Sequence, residues 1–331
     1  MNLSVLAAGA WGTALAIAFS ERHRVTLWAR EDDVAQTLRE TRENRRFLPG
    51  HRVPESIAIA TDFQAAVASA EILIIAVPLA GLRSTARALA ALDLPAAVPL
   101  LWVCKGLEAG SGKLPHTVIL EELGAERSCA ALSGPSFADE VAAGKPTALT
   151  LAAANLDFAT ATARLLHGPK LRIYASDDLP GVEVGGAVKN VLAIATGISD
   201  GLGLGDNARA ALITRGLAEI ARFGQACGGR RETFMGLAGV GDLILTCAGD
   251  LSRNRRVGLS LAAGKTLTQI LDELGHVAEG VSTAREVAQL ARARGIEMPI
   301  TEAVDAVLHH GLSATAAAER LLARDPKIES A

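Results

Sequence analysis

The stretch that most restricts the fold is the opening one, MNLSVLAAGAWGTALAIAFSERHRVTLWAR. Residues 3–8 form a short apolar run, and Ala7-Ala8-Gly9-Ala10-Trp11-Gly12 is a turn of small residues. Residues 13–20 then repeat apolar side chains at helical spacing, and 24–28 make a second strand candidate. Strand, glycine-rich turn, helix and strand within about 28 residues is the size of a compact βαβ unit. In a G-x-G-x-x-G turn the first glycine permits the tight bend. The second lets backbone approach a pyrophosphate, and the third allows close helix–strand packing. Gly9 and Gly12 keep the second and third roles, while Ala7 holds the first, where a methyl is tolerated provided φ stays negative. The helix start beyond it offers free N–H groups to phosphate oxygens.

The pattern continues along the chain. Residues 56–60 read as a third short strand and 71–77 as a strong one stopped by Pro78, with helical spacing again over 82–91. Residues 99–104 form an apolar run ended by Lys105-Gly106, and 129–132, 147–152 and 171–174 add further strands. Continuous Val/Ile/Leu strands alternating with helices predict a parallel sheet covered on both faces. Beyond residue 180 the segments 188–195, 208–223, 267–274, 283–294 and 300–308 read as helices, with no strand pattern between them. The expected fold class is α/β: a Rossmann-type, mostly parallel sheet domain over 1–180, then an all-helical C-terminal domain over 181–331. The boundary falls at the turn residues of 177–181.

Composition narrows the function. A chain of 331 residues is long enough for two domains, and aromatics at 3% leave the core to Ala, Leu, Val and Ile. A net charge of −3 gives no pull toward nucleic acid or anionic membrane. Cys104, Cys129, Cys227 and Cys247 form no C-x-x-C pair, so reduced thiols and no metal are expected. The apolar start lacks a preceding Lys or Arg and is broken by glycine and Trp11, unlike a secretory signal. No membrane span and a cytoplasmic location are the corresponding expectations.

Several residues stand where open α/β sheets bind ligands, beyond the carboxyl ends of strands. After the second strand come Ala29-Arg30 and Glu31. Arg30 suits a 2′-phosphate or stacks on adenine, which favours NADP, while Glu31 leaves NAD open. Lys105 directly follows one strand, and Gly134-Pro135-Ser136-Phe137 follows another. Lys189 lies in GGAVKNVLAIA (185–195), otherwise uncharged, where desolvation lowers an ammonium pKa toward a value useful for proton transfer; the bland reading is a lysine reaching solvent. Asp242 opens DLILT (242–246). Ser252 is a plausible helix N-cap, and with Arg253 and Asn254 it makes a helix start suited to a phosphate. Arg255 and Arg256 read as a solvated basic face.

Together these stretches resemble the bacterial NAD(P)-dependent sn-glycerol-3-phosphate dehydrogenases over nearly the whole length. They are GAWGTALA (9–16), VCKGLE (103–108), LSGPSFA (132–138), GGAVKNVLAIA (185–195), GVGDLILTC (239–247), LSRNRR (251–256), EGVST (279–283) and MPI (298–300). The resemblance implies interconversion of dihydroxyacetone phosphate and sn-glycerol 3-phosphate by hydride transfer at C2, supplying glycerol 3-phosphate for phospholipid synthesis. Lys189 is then general acid and base, Lys105 polarises the carbonyl, and Asp242 orients substrate. Gly134, Ser136, Ser252, Arg253 and Asn254 enclose the phosphate. Gly9, Ala10, Trp11, Gly12, Arg30, Lys105, Ala138, Arg253, Val277 and Glu279 line NADP or NAD, without a metal. A homodimer is implied too. The sequence departs from the family at Ala7, in place of a glycine, and at Ala10, in place of a serine. Rival readings are a hydroxyacid or 6-phosphogluconate type dehydrogenase, against which the Ser-Arg-Asn stretch argues, and a nucleotide-binding regulator without turnover.

Overall fold

The structure is a computed structural model that describes residues 1–92, 94–275 and 278–325. The first half alternates strands and helices: β1 (Asn2–Leu6), α1 (Ala10–Ser20), β2 (Arg24–Trp28), α2 (Asp32–Thr41), β3 (Glu43–Asn44), β4 (Leu48–Arg52), β5 (Ala58–Ala60), α3 (Phe63–Ala68), β6 (Ile72–Ile75) and α4 (Leu82–Ala90). Then follow β7 (Leu100–Trp102), α5 (Pro115–Leu123), β8 (Cys129–Ser133), α6 (Ala138–Ala142), β9 (Thr147–Ala152), α7 (Leu156–Leu166) and β10 (Leu171–Ser176). Eight strands form one sheet in the order β10-β9-β8-β7-β6-β1-β2-β5, and every pairing is parallel except β8 with β9. The expectation of a mostly parallel sheet covered on both faces therefore holds. One apolar cluster, including Val5, Leu15, Phe19, Ile74 and Leu101, fills one face, and another, including Leu73, Ile75, Trp102 and Val118, fills the other.

From β1 the chain runs outward to β2 and β5, then returns to lay β6 on the other side of β1. That reversal places a crevice at the carboxyl ends of β1 and β6, where doubly wound sheets take ligands. The two-residue strand β3 and its partner β4 form a separate hairpin that the sequence reading missed.

The second half is helical: α8 (Leu179–Gly201), α9 (Asp206–Ala226), α10 (Arg231–Phe234), α11 (Asp242–Ala248), α12 (Arg253–Ala262), α13 (Leu267–Leu274), α14 (Glu279–Ala293), α15 (Pro299–His309) and α16 (Ala314–Leu322). The start of α8 is set by Asp178, whose carboxylate accepts the Gly181 N–H at 3.0 Å, with proline in the first turn. Its residues run from the sheet core (Leu179, Val182) into a separate helical core (Val184, Val188, Val191, Leu192). At 23 residues it has the length and hydropathy of a membrane span, yet the whole of that apolar window is buried inside the protein. It is the central post around which the other helices pack.

Candidate active site

The turn after β1 bends as sharply as the glycine-rich motif requires. Ala7 does not keep the negative φ expected of it; its φ is +112°, in a region L-residues rarely enter. The turn is tight against α1: a Cβ added to Gly12 would lie 2.1 Å from the Ala7 carbonyl oxygen. Gly9 faces open space, with nothing within 4 Å of an added Cβ. No side chain caps α1 and no acidic residue sits in its first turn, so its leading N–H groups are left for an anion. This cradle fits a dinucleotide pyrophosphate. Asn44, buried in the hairpin, holds it by donating to the Ala8 carbonyl and the Thr13 hydroxyl, both at 2.8 Å. Ala10, Trp11 and Ala138 lie together, half-buried, around Ala14 and Leu48. Arg30 extends into solvent and pairs with Glu31, so the sequence's two candidates for the ribose end engage each other.

Beyond β7 and β8 a second group converges. Lys105 Nζ donates to Asp242 Oδ2 at 2.6 Å and to the Gly134 carbonyl at 3.3 Å, and the Ser136 hydroxyl donates to that carbonyl at 3.0 Å. Lys189 Nζ donates to the other Asp242 oxygen and, at 2.9 Å, to Thr246 Oγ1. Asp242 and Lys189 are only 1% and 6% exposed. A single π-helical turn, Leu237–Gly241, delivers Asp242 to the start of α11, where a negative charge is favoured. Burial is the main influence on Lys189, outweighing the help of Asp242, and with Lys105 nearby it lowers the pKa to about 8. Two ammonium groups around one carboxylate leave a buried excess of positive charge, suited to an oxygen that gains negative charge.

The Ser-Arg-Asn stretch divides its work. Ser252 caps α12 by accepting the Arg255 N–H at 3.2 Å. Asn254 is buried, donating to Asn190 Oδ1 at 3.0 Å and accepting the Gly280 N–H at 3.1 Å. Arg253, the first residue of α12, is exposed and has no hydrogen bond or ion pair to another described residue. Glu279 opens α14 and accepts the Leu79 N–H at 3.1 Å; burial raises its carboxyl pKa. Val277 lies outside the described residues. The sequence reading assigned no role to Thr246, Asn190 or Asn44. Thr246 had a signal, since it stands four residues after Asp242 and so on the same helix face. The partners of the two asparagines are distant in the chain and left none.

A doubly wound sheet with a dinucleotide turn, joined to a helical half that contributes a buried lysine, gives the class of a nicotinamide-dependent dehydrogenase. Comparison with known proteins makes the class specific. The family model for the NAD-dependent glycerol-3-phosphate dehydrogenase N-terminus matches residues 2–159, and that for the C-terminus matches 178–319. The chain is 67% identical to glycerol-3-phosphate dehydrogenase [NAD(P)+] of Dechloromonas aromatica over 100% of both chains. It is 60% identical to that of Aromatoleum aromaticum, over 99% of this chain and 100% of the relative. The crystal structure of glycerol-3-phosphate dehydrogenase from Coxiella burnetii matches with a TM-score of 0.93 at 42% identity, covering 98% and 99% of the two chains. The chain belongs to the NAD-dependent glycerol-3-phosphate dehydrogenase family and is an oxidoreductase.

Proposed function

We propose that this enzyme interconverts dihydroxyacetone phosphate and sn-glycerol 3-phosphate, with Lys189 as the general acid and base at the C2 oxygen. The observation that carries the reading is the Lys105–Asp242–Lys189 cluster, in which Lys105 follows β7 and both Asp242 and Lys189 are buried. When bound, reduced NADP or NAD would supply the hydride to C2, and the oxidised form would take it back in the reverse direction. Lys189 gives its proton to the C2 oxygen in reduction and takes it back in oxidation. Lys105 polarises the carbonyl, and Asp242 keeps both ammonium groups aimed at one point.

Arg253 supplies the charge for the substrate phosphate, with Gly134 and Ser136 beside it. Ser252 and Asn254 act by fixing the helix start that presents Arg253. Gly9, Ala10, Trp11, Gly12, Arg30, Lys105, Ala138, Arg253, Val277 and Glu279 would line the dinucleotide. The domain division at 180/181, a homodimer, a cytoplasmic location and supply of glycerol 3-phosphate to phospholipid synthesis belong to the same reading.

The test is NADPH oxidation with dihydroxyacetone phosphate against carboxylated substrates, for wild type and Lys189→Ala. Turnover with the phosphate alone is expected, with kcat falling by about 10²-fold or more in Lys189→Ala while NADPH still binds. Undiminished turnover in that variant removes Lys189 from its role.

A further inference from the structure

The site depends on two lysines carried by different parts of the fold. Lys105 follows β7 of the sheet, and Lys189 lies midway along α8. Much of the surface of α8 packs in an apolar core, and such contacts do not by themselves fix a helix's rotation or axial position; its polar attachments do. Asn190 ties the helix to Asn254 and Asp200 ties it to Arg255, and at the join between the two cores Glu183 ties it to the sheet. Glu183, 6% exposed, accepts the Trp102 indole N–H at 2.9 Å and the His116 backbone N–H at 2.8 Å on the same oxygen. Its other oxygen meets the His116 ring. Trp102 ends β7, His116 stands in the first turn of α5, and Glu183 belongs to α8, so one carboxylate ties three elements.

We infer that Glu183, through Trp102, is the positioning residue that sets the spacing of Lys105 and Lys189 about Asp242. The three attachments lie on successive turns of α8. Glu183 takes Trp102, Gly186 rests on the Lys105 stem, and Lys189 reaches Asp242. A Cβ on Gly186 would stand 3.4 Å from the Lys105 Cγ and Cδ and 3.0 Å from Ser133 Oγ, so this turn of α8 passes beside the lysine stem. A directional hydrogen bond one turn earlier is what fixes this seat relative to β7, the strand that leads into Lys105. Burial raises the Glu183 pKa against the effect of its donors. Burial also disfavours the charged His116 ring, yet Glu183 outweighs it and raises the histidine's pKa.

The inference rests on the roles proposed above for the two lysines, and the experiment separates the two. Trp102→Phe keeps the buried ring and removes the donor; Glu183→Leu removes the acceptor; Glu183→Gln keeps a carbonyl oxygen for both N–H groups. Lys189→Met is the control for the site itself. In dihydroxyacetone phosphate reduction, Trp102→Phe and Glu183→Leu are expected to lower kcat by about 10-fold or more, because small misplacements of reacting groups are costly. The KM for NADPH changes less than kcat, since the pyrophosphate turn at residues 9–12 and the start of α1 lie away from Trp102 and Glu183. The alkaline limb of the kcat–pH profile moves by more than about 0.5 unit, as the setting of the lysine changes, and Glu183→Gln restores both quantities. If the folded Trp102→Phe protein keeps the wild-type rate, or if kcat falls only in step with melting temperature while the limb stays fixed, the inference is overturned. Turnover by Lys189→Met overturns the site reading instead.

Discussion

At the scale of single residues, Ala7 is where the chain bears strain. A non-glycine residue at φ +112° costs of order 1–3 kcal/mol, and the surrounding turn imposes it. Ala7→Gly should therefore raise unfolding stability by about 1 kcal/mol in urea titration, even after the greater entropy of an unfolded glycine is subtracted. Turnover should remain within a modest factor, because Gly9 and the α1 N–H groups are unchanged; a large gain would show that the native turn is impaired. Lys189 makes a second prediction. With its pKa lowered to about 8, it is a proton donor below that pH and a base above it. Rates of dihydroxyacetone phosphate reduction should fall as pH rises through about 8, and rates of glycerol 3-phosphate oxidation should rise through the same range. Paired pH profiles check this, and limbs of the same sign in both directions would exclude Lys189 as the titrating group.

At the scale of elements, the seam between α8 and α12 controls how Arg253 is presented. A Cβ on Gly258 would lie 2.1 Å from the Ile194 carbonyl oxygen, and one on Gly197 would lie 2.1 Å from that of Arg255. The helices cross with backbone nearly touching backbone. Gly258→Ala should push them apart, cost about 1–3 kcal/mol of stability and raise the KM for the phosphorylated substrate more than that for NADPH. Steady-state kinetics on both substrates checks the asymmetry. These elements also mark how far the sequence could be read. The central strands were legible because ILII of β6 and its neighbours are apolar without interruption. The β3–β4 hairpin was not, because its first strand is two residues long and rests on side-chain bonds, such as Glu43 accepting the Gly50 N–H at 2.8 Å. The reversed direction of β9 was hidden too, since an apolar strand reads alike in either sense.

At the scale of the whole molecule, the legible part of the proposed site was its charged residues and the hidden part their support. Lys105, Lys189 and Asp242 announced themselves as charges at strand ends or within apolar runs. Glu183, Asn190 and Asn44 act only through residues far along the chain, so no local pattern carried them. The proposed boundary at 180/181 falls in the first turn of α8, the helix that passes from one core into the other. Its burial bears on time as well as space. Amide protons of 187–193 have no local route to solvent, and should exchange for deuterium only when the entire protein opens. Exchange followed by mass spectrometry should rank this segment among the slowest, with α16 and the exposed turns far faster. The residue proposed to move the proton would then be borne by the least mobile stretch of backbone, with flexibility during turnover left to the groups that approach it.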